Sequence, residues 1–107
     1  MHVRDLNPKS IFFKEERNGY KTLKIGNYFH LKLPKTSLAP YCGIGTPAYM
    51  APELISFSTE ELTEKSEIWS AGVILYELCA KKLPFTAKTV PGLMMKFKNE
   101  IYEEIPD

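Results

Sequence analysis

A mainly α domain with one small β-hairpin is the fold class this sequence predicts. Three observations carry it. Two short β-favouring runs near the start flank an Asn-Gly pair. Glycine and proline crowd residues 26–52. The stretch 65–81 is apolar on nearly every side, and 91–102 repeats apolar residues at helical spacing.

The hairpin comes first. Ile11-Phe12-Phe13 is a short apolar run, and Tyr20 to Ile25 alternates in part through Thr22, Leu23 and Ile25. Between them lies Lys14-Glu15-Glu16-Arg17-Asn18-Gly19, a polar run ending in a turn dipeptide. The charges Lys14 to Arg17 read as a solvated tip. The next segment holds Gly26, Pro34, Pro40, Gly43, Gly45, Pro47 and Pro52. Such breakers forbid a long helix or a central strand. A loop of that length in a compact domain is usually functional or disordered.

Residues 65–81 predict a buried helix, since apolar residues fall on nearly every side from Ile68 to Ala80. So apolar a helix wants more neighbours than this chain provides. Leu83-Pro84-Phe85 is expected to end it. Leu93, Met94, Phe97 and Ile101 give the second stretch one apolar face, read as core packing rather than a Met-rich binding face.

Composition bounds the rest. The chain has 107 residues, 44% hydrophobic and 25% charged, which suits one small globular domain. A net charge of +1 gives no electrostatic case for nucleic acid or an acidic membrane. Cys42 and Cys79 are far apart, and His2 and His30 stand alone, so no metal-ligand spacing arises. Both cysteines read as structural or neutral, in the manner of small buried hydrophobes. Residues 1–9 lack the apolar core of a signal peptide, and the longest apolar run, Ala71 to Tyr76, is too short to span a bilayer. An intracellular, reduced, cytoplasmic setting is the default expectation.

Four clusters follow in order. They are Val3-Arg4-Asp5-Leu6-Asn7-Pro8-Lys9-Ser10-Ile11, Gly26-Asn27-Tyr28-Phe29, the run from Gly45-Thr46-Pro47 to Ala51-Pro52-Glu53, and Ser66-Glu67-Ile68-Trp69-Ser70-Ala71-Gly72. Protein kinases carry H-R-D-L-K-P-x-N, D-F-G, G-T-x-x-Y-x-A-P-E and D-x-W-S-x-G in the same order. The chain resembles that family from its first residues to its last. Thr46 is of the serine/threonine type. The run Gly45 to Glu53, with the tail Leu83-Pro84-Phe85, Lys96 and Tyr102-Glu103-Glu104-Ile105-Pro106, looks closest to the never-in-mitosis-A-related (NIMA-related) group.

The resemblance implies a truncated protein-kinase C-lobe, within a protein kinase-like α+β fold. It sets a catalytic loop at 2–11, a hairpin at 11–25, an activation segment at 26–53, a buried helix at about 65–81 and an amphipathic helix at about 91–102. It also implies ATP and magnesium, by family only. Asp5 matches the residue that accepts the proton of the attacking hydroxyl. Arg4 matches the residue that pairs with an activation-loop phosphate. The matching phosphosite is Cys42, which a serine/threonine kinase cannot modify; Thr36, Ser37 and Tyr41 lie nearby. Thr46 would bridge Asp5 in an intact site. Trp69 keeps its motif position.

Departures from the pattern matter more. The lysine that screens the γ-phosphate is Asn7, without charge. The asparagine for the second magnesium is Ser10, and the D-F-G aspartate is Asn27. Magnesium usually takes one or two carboxylates plus phosphate oxygens, so an amide in place of a carboxylate weakens the anchor. Phe29 replaces a glycine, and Tyr28 is a mild change. Val3 replaces the loop histidine. Glu67, one methylene longer than aspartate, would misplace its brace on the loop. The 107 residues contain no Gly-rich phosphate loop and no Val-Ala-x-Lys strand, which the resemblance assigns to a lobe before Met1. The arginine that pairs with Glu53 in the family has no counterpart, so Glu53 is expected to stay solvated or to find a lysine.

The readings kept open are three. One is a pseudokinase fragment that transfers no phosphate and serves at most as an interaction module, with a protein partner over its bare faces. The second is a partial serine/threonine kinase with atypical catalytic residues. The last is a relic without a stable fold. Asp5 as a plain surface carboxylate and Thr46 as a turn cap are the bland alternatives at those positions.

Overall fold

The computed structural model describes residues 6–26, 47–55 and 63–105. A 3-10 turn, Pro8–Ser10, leads into β1 (Ile11–Glu15) and β2 (Lys21–Ile25). A second 3-10 turn, Pro47–Tyr49, precedes α1 (Pro52–Ile55), α2 (Glu64–Ala80) and α3 (Val90–Lys98).

β1 and β2 pair antiparallel, with Ile11 opposite Ile25 and Phe13 opposite Leu23. The Asn-Gly pair turns the chain, but not as a two-residue loop. Gly19 N–H donates to the Glu16 carbonyl at 2.9 Å, and Glu16 N–H donates to the Tyr20 carbonyl at 2.8 Å. Gly19 takes φ +82, the left-handed position of a bulged loop. The Asn18 side chain accepts from Tyr20 N–H. The solvated tip holds an exposed ion pair, Lys14 to Glu16 at 3.2 Å.

Glu64 and Glu67 place negative charge in the first turn of α2, where the helix dipole favours it. Lys81 ends this helix in the left-handed conformation at φ 58, with its N–H on the Glu77 carbonyl. The stop therefore comes before Leu83-Pro84-Phe85, the expected terminator. α3 starts on Thr89, whose side chain accepts from Gly92 N–H at 3.2 Å. It ends at Lys98, short of the expected 102. Glu100 turns left-handed at φ 52, its N–H donates to the Phe97 carbonyl and that of Ile101 to the Lys96 carbonyl. This pairing closes a helix end and turns Ile101 off the apolar face.

α1 packs on α3, and the Pro47–Tyr49 turn packs on α2. The core is Ile55, Leu93 and Phe97, with Met50, Trp69, Phe85 and Met94 against it. Trp69 stacks on Phe85 with ring centres 6.0 Å apart, and Phe97 meets both rings edge-on at 5.4 and 4.9 Å. Core packing thus claims Leu93, Met94 and Phe97 as expected, while Met95 is exposed.

α2 departs from the expectation of burial on all sides. Ser66, Ser70, Val73 and Ile74 are buried along one face, but Ile68, Leu75 and Leu78 are 70%, 62% and 63% exposed on another. Its neighbours cover one side only. Cys79 is exposed as well, against its reading as a small buried hydrophobe. Among the described residues no helix is long and apolar enough to cross a membrane.

Candidate functional site

The described part of the expected catalytic loop is a self-satisfied turn. Asn7 is extended and caps the Pro8–Ser10 turn, its side-chain oxygen accepting from Lys9 N–H at 2.9 Å. Ser10 answers in kind. Asn7 N–H donates to Ser10 Oγ at 3.1 Å, and that hydroxyl donates to the Asn7 carbonyl at 2.8 Å. This reciprocal cap settles donors that a short helix leaves unpaired. Asn7 and Ser10 are 5% and 1% exposed, so both side chains turn into the protein. The Ser10 carbonyl then accepts from Gly26 N–H at 2.7 Å, tying the turn to the far end of the hairpin.

These two positions do not fit the family's magnesium and phosphate. A magnesium ligand needs an oxygen facing the ion. The Ser10 hydroxyl is buried and engaged as both donor and acceptor. The Asn7 side-chain oxygen already caps Lys9. Among the described residues no cluster of three or more His, Cys, Asp or Glu side chains has metal-binding geometry. Asp5, Arg4, Asn27, Cys42 and Thr46 lie outside the described residues, as does any contact among them.

A second assembly joins the end of the expected activation segment to the inward face of α2. Ser66 Oγ donates to Glu53 Oε1 at 2.8 Å. Ser70 Oγ donates to the Tyr49 carbonyl at 2.7 Å and, more weakly, to the Ser66 carbonyl at 3.3 Å. The Tyr49 hydroxyl donates to Glu77 Oε2 at 2.6 Å. Burial first, then this hydrogen bond and the Glu77 charge, push the Tyr49 pKa from 10.0 up to about 12. Glu53 is half-buried and accepts from a serine hydroxyl, a partner the sequence reading did not name. Glu67 is half-buried in the first turn of α2. Any brace toward residues 1–5 lies outside the described residues.

Sequence reasoning missed Ser66, Ser70 and Glu77 as anchors. A signal was present: they recur at spacings of four and seven, on one face of an otherwise apolar helix. Polar residues on an apolar face need partners.

Beside this anchor runs an apolar groove of about 770 Å³, walled by Trp69, Val73, Tyr76, Phe85, Phe97 and Tyr102. The Tyr76 hydroxyl donates to the Glu103 carbonyl, and Lys82 pairs with the Glu103 carboxylate, so the last described residues return to α2. Tyr102 meets Phe85 edge-on at 5.9 Å. Trp69 Nε1 is buried and finds no acceptor among the described residues.

Comparison with known proteins decides the family. The protein kinase domain matches residues 1–106. This chain belongs to that family. Its relatives include the G2-specific protein kinase nim-1 of Neurospora crassa, 38% identical over 96% of the chain. The G2-specific protein kinase nimA of Emericella nidulans is 36% identical over 97% of it. The serine/threonine-protein kinase Nek2 of Mus musculus is 38% identical over 96%. The chain spans 11%, 14% and 22% of these relatives' lengths. It is thus a kinase-domain fragment related to the NIMA-like serine/threonine kinases, and ATP and magnesium are implied for it by family alone.

Proposed function

We propose that this kinase-family chain corresponds to the central part of a C-lobe, and that its 107 residues transfer no phosphate and act instead as a pseudokinase-type interaction module. The observation that carries the reading is the Asn7–Ser10 cap. Two positions that serve phosphate and metal in the family here close a turn, with Ser10 fully buried. Asn27 and Phe29 support it from the sequence, because a carboxylate and a glycine are lost at the metal-binding motif. Phosphoryl transfer relies on positioning and charge neutralisation. Losing one such group commonly costs about 10²–10³ in rate.

The anchor on α2 supports the second half of the reading. Tyr49, Glu53, Ser66, Ser70 and Glu77 hold the end of the segment by three side-chain hydrogen bonds that need no nucleotide. A surface held in this way can present a chain for recognition while the chemistry is gone.

The test is phosphate transfer from radiolabelled ATP with magnesium, comparing the chain with Asp5→Ala, alongside thermal melts with and without nucleotide. We expect equal, background-level transfer and no shift in melting. Transfer that disappears in Asp5→Ala overturns the proposal and favours a partial kinase with atypical residues.

A further inference from the structure

The tip of the hairpin carries a chemistry of its own. Asn18 is followed by glycine, whereas Asn7 precedes a proline, and Asn27 and Asn99 precede Tyr28 and Glu100. A backbone nitrogen can attack the carboxamide of the asparagine before it and close a five-membered ring. Proline has no N–H proton to give up, and a side chain on the following residue crowds the approach. Gly19 has neither obstacle. Open space surrounds it, since even a Cβ built there meets nothing within 4 Å.

The turn holds the two reacting groups under opposite control. Asn18 Oδ1 accepts from Tyr20 N–H at 3.2 Å. To reach that donor the carboxamide folds forward over the Asn18–Gly19 peptide, toward the nitrogen it must meet. The same N–H stands where negative charge collects on Oδ1 during attack, as an oxyanion donor does. The nucleophile is engaged instead. Gly19 N–H donates to the Glu16 carbonyl at 2.9 Å, and that bond holds the proton that must leave. All these groups come from five consecutive residues, and Asn18, Gly19 and Tyr20 are exposed to water.

We propose that Asn18–Gly19 is a self-modification site, where the folded turn presents the electrophile and withholds the nucleophile, so that deamidation waits on rupture of the Gly19–Glu16 hydrogen bond. The inference does not depend on whether the chain transfers phosphate. Once that bond opens, Gly19 N gives its proton to hydroxide and bonds to Asn18 Cγ. The Cγ–Nδ2 bond breaks, and ammonia leaves after Nδ2 takes a proton from water. The succinimide then adds water. Cleavage of the new N–Cγ bond gives aspartate at position 18; cleavage of the original peptide bond gives isoaspartate, whose main chain runs through Cβ. The two products differ in the hairpin. An aspartate side chain still accepts from Tyr20 N–H and keeps the turn. Isoaspartate adds a carbon to the main chain, so the Gly19–Glu16 and Glu16–Tyr20 hydrogen bonds no longer close together and the strand register slips. Either product takes the net charge from +1 to zero.

The full chain, incubated at mildly alkaline pH with and without denaturing urea, tests this by peptide mapping of Asn18 against Asn27 and Asn99. We expect conversion at Asn18 to outrun the other two by ~10-fold or more. In the folded chain it should run ~5-fold or more slower than in urea, the weight of one ordinary hydrogen bond. Gly19→Ala should cut the rate ~10-fold or more although it loosens the turn. Asn18→Gln, whose longer side chain needs a six-membered ring, should stay unconverted. In hydrogen exchange of aged material, the isoaspartate fraction should lose amide protection from Phe12 to Leu23, whereas Asn18→Asp should keep it. No excess conversion at Asn18, equal or faster conversion in the folded chain, a Gly19→Ala rate equal to wild type, conversion of Asn18→Gln, or an isoaspartate fraction as protected as Asn18→Asp overturns the proposal.

Discussion

Removing the Tyr49 hydroxyl tests the α2 anchor directly. Tyr49→Phe deletes the 2.6 Å hydrogen bond to Glu77 and leaves the ring in place. The raised pKa, about 12 against 10.0, owes most to burial and only then to Glu77, so it does not measure the strength of that bond. The ring is only half-buried, so solvent screens the pair and about 1 kcal/mol is the expectation. For a domain of this size that lowers Tm by about 4–8 °C. The pH dependence has a definite sign. The folded pKa lies above the unfolded one, so the contribution is complete below pH 10.0 and is lost as pH rises through about 12. Below that window the gap between the two proteins is constant; within it the wild type falls toward Tyr49→Phe. Urea melts followed by circular dichroism at neutral and alkaline pH measure the gap. An ultraviolet titration of tyrosinate measures the cause: one of the 6 tyrosines should ionise last, and that step should vanish in Tyr49→Phe. Equal stability of the two proteins, or all tyrosines ionising together near pH 10.0, would refute the reasoning.

Three further outcomes follow from the packing. Phe97→Ala removes the ring that meets both Trp69 and Phe85 edge-on, and should cost about 3–5 kcal/mol in the same melts. Glu100→Gly relieves a left-handed residue at the end of α3, and should raise stability by about 1 kcal/mol. Gly19→Ala does the reverse at the hairpin tip, where open space surrounds the added Cβ but φ +82 penalises it, with a loss of about 1 kcal/mol.

The hairpin, α2 and α3 were legible because each announces itself locally. β-favouring runs flank Gly19, and apolar spacing marks both helices. The ends were less legible. Lys81 and Glu100 end their helices in a left-handed conformation usually given to glycine or asparagine, so neither residue type signals a stop. At the candidate site, replacement of the family residues at Asn7 and Ser10 was evident from motif order alone. Their bonding to each other was not. That cap depends on which way two side chains turn, and composition does not state it. Glu77 was hidden for a different reason: its partner Tyr49 is 28 residues away. The bare face of α2 was half legible, since a helix apolar on nearly every side demands neighbours. Which side stays uncovered depends on where the elements around it land.

The hydrogen bond from Gly26 to Ser10 has a consequence for how the chain assembles. It seals a unit in which all strand pairs lie close in sequence, from Glu15–Lys21 to Ile11–Ile25. Closing so short a loop needs little search, and hairpins form in about 1–10 μs. The links from Tyr49 to Ser70 and Glu77 span 21 and 28 residues and must wait for larger loops to close. Folding should therefore begin at the hairpin and finish at the anchor. In pulse-labelling hydrogen exchange, the amides of Phe12 to Leu23 should gain protection before those along the inward face of α2.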